Sequence, residues 1–234
     1  MTTRGTRRIV LLFTFAAGCV DAISYLAVHV FTANMTGNAV LLGIYVGQGR
    51  GAAAVNSLIA MIVFIAGVVL GAVLAGEAGD KAKTLASVRT EVIFETVILA
   101  VFAGAFLLPL PREARVVALL VIISSALAMG LQSAAVRRLH LPGIATTYIT
   151  GTITNLFFGI TQHWGPRRQV PVTDAAGATP ALKRFLVLQA EVFLCYALAA
   201  LSCGALFTSW PSLVAWLPVV AIGAVAVAMS SRTR

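Results

Sequence analysis

The chain has 234 residues, 59% hydrophobic and 11% charged, with a formal net charge of +9 and a mean hydropathy of +0.95. Soluble domains run at about 45–50% apolar and about 25% charged, so this composition excludes an ordinary soluble protein. The alternation over roughly ten-residue strands that marks a membrane β-barrel is missing, which leaves an all-α membrane protein.

A spanning helix needs about 20 predominantly apolar residues. The first such stretch, Ile9–Phe31, follows Arg4, Arg7 and Arg8. Arg7-Arg8 with Ala16-Ala17-Gly18-Cys19 resembles a lipoprotein signal peptide. The apolar run continues past Cys19 to Phe31, so a spanning helix is expected instead. Asp21 lies about halfway along it. A charge at that depth is costly, so it faces the protein interior as a proton carrier, a cation ligand or an acceptor for the segment that follows. The competing reading is that Asp21 only ties down local backbone N–H groups or Tyr25.

Next comes a polar phrase, Phe31-Thr32-Ala33-Asn34-Met35-Thr36-Gly37-Asn38, leading into an apolar stretch too short to cross a bilayer. Thr or Asn beside Gly suits the cap of a half-helix, predicted from Asn38 to Gln48. Asn34, Thr36, Gly37 and Asn38 are candidate solute or ion contacts. The plainer reading is a cap with close helix packing.

Ala53–Ala75 is the second span and Glu91–Leu108 the third. Glu91 and Glu95 are four residues apart and share a helix face. Glu95 and, in the fifth span, Glu191 are candidates for a proton relay. Pairing with Lys183, Arg184 or Arg89 is the alternative. Val116–Ala135 is the fourth span and carries Gln132 and Ser133, which could supply hydrogen bonds to the cavity of Asp21. A second polar phrase follows, Thr146-Thr147-Tyr148-Ile149-Thr150-Gly151-Thr152, again leading into a short apolar stretch, with a half-helix predicted from Thr152 to about His163. Thr147, Thr150, Gly151 and Thr152 are the matching candidates. A Pro- and Gly-containing connector covers Gly165 to Leu182, and Arg184–Phe207 and Leu213–Ser230 complete six spans.

The chain reads as one membrane domain, 1–234, made of two copies of one plan, about 9–108 and 116–230. Gly18-Cys19-Val20-Asp21-Ala22 matches Gly130-Leu131-Gln132-Ser133-Ala134 at an offset of 112, and the Thr-Gly pairs match at 114. Gly71-Ala72-Val73-Leu74 parallels Gly204-Ala205-Leu206-Phe207, and Gly67/Gly71 and Ala200/Gly204 are the expected packing faces. Three spans per half invert the second copy, so the expected fold is six transmembrane helices plus two re-entrant half-helices in a 3+3 inverted repeat. The half-helices would meet near the bilayer centre, N-termini inward.

Fourteen of the seventeen basic residues fall on the side of the two termini, which predicts that both termini are cytoplasmic. The same distribution accounts for the net charge without nucleic acid, since no basic–aromatic platform accompanies it. His29, His140 and His163 lack metal-ligand companions, and Cys19, Cys195 and Cys203 lie in apolar spans. Neither a metal nor a cofactor is expected. No nucleophile elbow, P-loop or dinucleotide fingerprint is legible, so an enzyme is not the leading expectation.

Gly18-x-x-Asp21-Ala22-x-Ser24-Tyr25 and the Asn34-Met35-Thr36-Gly37-Asn38 core resemble the signature of the YoaK family, bacterial inner-membrane proteins sharing a domain of unknown function. Ala128-Met129-Gly130-Leu131-Gln132-Ser133-Ala134 and the second Thr-Gly phrase are similar to its second signature, with Ser133 where that family usually has Asn. The resemblance implies six helices and brings no substrate. The sequence therefore points to a small-solute transporter or channel with a midplane site, its partners the lipid bilayer and an unidentified small solute. A non-transporting membrane scaffold is the alternative and an intramembrane enzyme the third. Homo-oligomerisation is left open.

Overall fold

In the computed structural model, residues 3–74, 81–111, 114–138, 149–164 and 178–230 are described. They form α1 (Thr3–Val28), α2 (Met35–Gly47), α3 (Gly51–Leu74), α4 (Lys81–Ala105), α5 (Arg115–Arg138), α6 (Ile149–Trp164), α7 (Ala178–Leu206), α8 (Pro211–Val214) and α9 (Leu217–Ser230), with no strand among the described residues. Five segments are long and apolar enough to cross a bilayer: Gly5–Val28, Gly51–Leu74, Arg115–Arg138, Arg184–Leu206 and Pro211–Ser230. The third predicted span, α4, has similar length but carries Lys81, Lys83, Arg89, Glu91 and Glu95. The last predicted span is broken into α8 and α9. Pro211 opens α8 and Pro218 sits in the first turn of α9, positions where a missing N–H costs no helical hydrogen bond.

Both short apolar stretches form helices, but each starts three residues before the expected Asn38 or Thr152. α2 starts at Met35 and α6 at Ile149, matching positions of the two polar phrases. α1 stops at His29, whose φ of 56° is left-handed. Its N–H still donates to the Tyr25 carbonyl at 2.9 Å. Histidine tolerates that region better than a β-branched residue. His29→Val is therefore expected to lose about 2 kcal/mol, and His29→Gly to stay within about 1 kcal/mol of wild type. Thermal melting in detergent micelles would separate the two.

The largest interfaces are α3 with α5 and α1 with α7, followed by α4 with α5, α2 with α3, α4 with α9, α1 with α9, α6 with α7 and α1 with α5. Exchanging α1 with α5, α2 with α6, α3 with α7 and α4 with α9 turns this set of pairs into itself. The half-helices lie along different neighbours, α2 on α3 and α6 on α7. Each packs on the helix that follows it. For α2 the short Gln48–Gly49–Arg50 connection dictates this, because it folds α3 straight back.

Both main interfaces are crossed at a glycine. A Cβ on Gly130 would lie 2.3 Å from the Phe64 carbonyl oxygen and 2.8 Å from Gly67 Cα. A Cβ on Gly18 would lie 2.7 Å from the Tyr196 carbonyl oxygen and 3.0 Å from Ala199 Cβ. Gly18 and Gly130 are matched positions of the two copies, so each serves its half in the same way. On α7 the packing face is Ala199 and Cys203, both fully buried. This corrects the expected Ala200/Gly204 face by one residue: a Cβ at Gly204 would meet nothing within 4 Å. The outward faces are apolar, as with Val55, Leu58, Ile62, Ile65, Val69 and Val73 on α3. Exposed rows of this kind suit a lipid surround.

Candidate functional site

After His29 the chain reverses and runs back along α1. Asp21 holds it there. Its Oδ1 accepts the N–H groups of Thr32 at 2.8 Å, Ala33 at 2.7 Å and Asn34 at 3.3 Å. Its Oδ2 accepts the hydroxyl of Tyr196, on α7, at 2.5 Å. Asp21 lies seven residues before the last residue of α1, Val28. At about 1.5 Å per residue, the reversal reaches roughly 10 Å inside that end. The carboxylate is therefore in the last third of α1, which extends back to Thr3, past the start of the predicted span.

The other polar residues of the first phrase finish the turn. Asn34 caps α2, its Oδ1 accepting the Gly37 N–H at 3.1 Å. Asn38 braces Phe31 in both directions: Oδ1 accepts the Phe31 N–H at 2.9 Å, and Nδ2 donates to the Phe31 carbonyl at 2.5 Å. Gly37 leaves room for the Phe31 ring, which a Cβ would approach to 2.7 Å. That ring stacks on Tyr25 with centroids 4.9 Å apart. The Thr32 and Ser24 hydroxyls lie 3.2 Å apart, and Ser24 donates at 3.5 Å to Ser125 on α5. Buried backbone must be satisfied internally where no water reaches, and here one carboxylate and two asparagines do it. Thr36 differs from its neighbours in being exposed.

In the second phrase, Thr147 lies outside the described residues. Thr150, Gly151 and Thr152 form the first turn of α6. Thr152 is buried at 1% exposure. Thr150 is exposed, as Thr36 is at the matching position of α2. Its carbonyl accepts the Thr154 hydroxyl at 2.9 Å.

Gln132 and Ser133 do not join Asp21. Gln132 Nε2 donates to the Phe13 carbonyl at 3.1 Å, and the Ser133 hydroxyl to Met129 at 2.9 Å on its own helix. Phe13 is eight residues from Asp21, about 12 Å along α1. The acidic residues pair differently from expectation. Glu191 forms an ion pair with Arg7, joining α7 to α1. Glu91 forms one with Arg138, joining α4 to α5. Neither uses Arg184 or Arg89, since the bundle brings the ends of other helices alongside, and the Lys183 side chain lies outside the described residues. Glu95 is buried with no hydrogen-bond partner on either oxygen.

Sequence reasoning missed Tyr196, Ser24, Thr32, Ser125 and Arg138. A signal existed for Tyr196 alone, since a tyrosine inside an apolar helix needs an acceptor for its hydroxyl. No cluster of three or more His, Cys, Asp or Glu that could hold a metal occurs among the described residues. A groove of about 410 Å³ between α1 and α7 is lined by Arg8, Leu11, Leu12, Phe15 and Cys195. The arrangement can hold an irregular backbone at depth and present the positive end of α2 there.

Comparison with known proteins agrees with a transmembrane chain. The family model described as "Protein of unknown function (DUF1275)" matches residues 9–228. The chain is 34% identical over 224 residues to the UPF0700 transmembrane protein YoaK of Bacillus subtilis (strain 168), covering 95% of this chain and 93% of that protein. No solved structure matches the chain.

Proposed function

The chain belongs to the DUF1275 family, and we propose that it is a multi-pass inner-membrane protein that passes a small solute between its two halves. The observation that carries this reading is the reversal after α1, an irregular backbone held roughly 10 Å inside a membrane helix. Such backbone is kept at that depth where it is buried or lines a passage. A second half-helix begins at the equivalent position of the other half. The self-mapping set of helix pairs supports an inverted 3+3 repeat with α4 as the sixth span. Burial of Glu91 and Glu95 lets α4 cross despite its charges. The side carrying fourteen of the basic residues is cytoplasmic, and both termini lie there.

In this reading Asp21 is a positioning residue, since both its oxygens serve the protein itself. Solute contact falls to the exposed Thr36 and Thr150 at the two half-helix N-termini, whose positive ends favour anionic or strongly dipolar solutes. Thr36→Val and Thr150→Val together are expected to lower flux in proteoliposomes at least tenfold, while stability moves by less than about 0.5 kcal/mol. A solute panel that gives no flux, and no ligand that raises the melting temperature, would end the proposal.

One observation favours the scaffold alternative. Asp21 and, in the first phrase, Thr32, Asn34 and Asn38 are all engaged with the protein's own groups. On that alternative the threonine pair is without effect on any solute.

A further inference from the structure

A second buried polar cluster lies apart from the reversal, where α3, α4 and α5 come together. Glu91 Oε1 accepts from Arg138 Nη1, and Arg138 Nη2 donates to the Gly71 carbonyl. The Ser87 hydroxyl bridges Glu91 Oε1 at 3.3 Å and the Leu74 carbonyl at 3.1 Å. Glu95 follows one turn deeper, about 6 Å along α4 and near the middle of that helix. It is 1% exposed, and neither of its oxygens has a donor. Glu91 Oε2, on the same helix face, also has none.

The charge of this cluster does not close. Two carboxylates face one guanidinium, so the fully ionised trio carries one uncompensated negative charge away from water. Among the described side chains, no other cation is hydrogen-bonded to either carboxylate. On α5, Arg137 is exposed and Arg115 sits at the far end, donating to Asn56 at 2.5 Å. α3 and α9 contribute no titratable side chain among the described residues. Arg89 is two residues from Glu91, off the shared face. An unpaired ionised group in such a place is strongly unfavourable.

We propose that Glu95 is a proton-binding site. One proton adds to a Glu95 carboxylate oxygen from hydronium, leaving water, and takes the trio from a net charge of −1 to 0. Release reverses the step. Exchange runs through the Arg138 end of the cluster, since Arg138 is its partly exposed member, at 18% for the side chain. A metal cation fits less well. Sodium-sized and larger ions take about six oxygens. The free donors here are three oxygens of two carboxylates, and the Ser87 and Gly71 oxygens are already engaged. A proton needs a single oxygen. The site stands whether or not the protein moves a solute, because its occupancy can be read with no solute present.

The test is infrared difference spectroscopy of the full chain in lipid nanodiscs, between acidic and alkaline buffer, in H2O and in D2O. Wild type is expected to show a carboxylic-acid C=O band that shifts in D2O and disappears at alkaline pH. Glu95→Gln should lose that band, and Glu191→Gln should keep it. A band undiminished in Glu95→Gln overturns the assignment. So does a band that sodium abolishes at fixed pH and ionic strength while choline does not, which would make the ligand a metal cation. Should Glu95→Gln fail to fold, Glu95→Asp must move the titration midpoint. Wild-type protein with no D2O-sensitive carboxyl band refutes the site without any variant.

Discussion

Replacing Asp21 by alanine is expected to lower stability by about 4 kcal/mol or more, and to release the segment after α1 from its place inside the bundle. The carboxylate is the shared acceptor for three backbone N–H groups and the Tyr196 hydroxyl. Removal leaves those donors without acceptors where water does not reach. Each such loss costs about 1–3 kcal/mol, and losses within one network do not add simply. Thermal melting in micelles would show the drop, and limited proteolysis should find new cleavage between His29 and Asn34. A melting temperature no lower than that of Thr36→Ala would refute the bracing role. Asp21→Asn refines the test. Its amide oxygen can still accept from Thr32 and Ala33, and its NH2 can donate to the Tyr196 oxygen, so a loss of about 1–2 kcal/mol is expected. A positioning Asp21 leaves flux in proportion to folded Asn variant. A proton-carrying Asp21 leaves none.

The second large effect is expected at the crossing of α3 and α5. Gly130→Val places a branched side chain where even a Cβ would lie 2.3 Å from the Phe64 carbonyl oxygen. The obstruction is backbone, which no rotamer change can relieve, so the two helices must move apart along their interface. Overpacking of this kind costs about 3 kcal/mol or more. Gly104→Ala is the control: its Cβ would meet nothing within 4 Å, and the change should gain up to about 1 kcal/mol of helix propensity. Gly18→Val should repeat the Gly130 result at the α1–α7 crossing. Equal melting temperatures for Gly130→Val and wild type would show that the helices do not approach as described.

Much of this architecture is legible in the chain because its signals are local. Hydropathy marks the long helices, and Asn34 with Gly37 marks the start of α2 through a bond made within four residues. The glycines at 18 and 130 announce themselves by falling at matched places in the two copies. What escapes sequence reading depends on how distant helices align. Nothing local pairs Asp21 with Tyr196, Arg7 with Glu191 or Glu91 with Arg138. Nearer basic residues offer equally plausible partners for Glu91 and Glu191. The small-residue face of α7 shows the same limit. Apolar helices rich in Ala and Gly look alike when shifted by one residue, and only packing against α1 selects Ala199, beside Gly18, and Cys203, beside Cys19.

The partner exchange also dictates how the protein can be built. α1 finds its largest interface on α7 and α3 on α5, so the ribosome delivers α1 long before its mate exists. Until α7 arrives, Gly18 faces no helix and the Asp21 carboxylate lacks the tyrosine. The two halves are interlocked, each packing helices on those of the other. Chain order and assembly order therefore diverge, and α1 is fully seated only after α7 has been made.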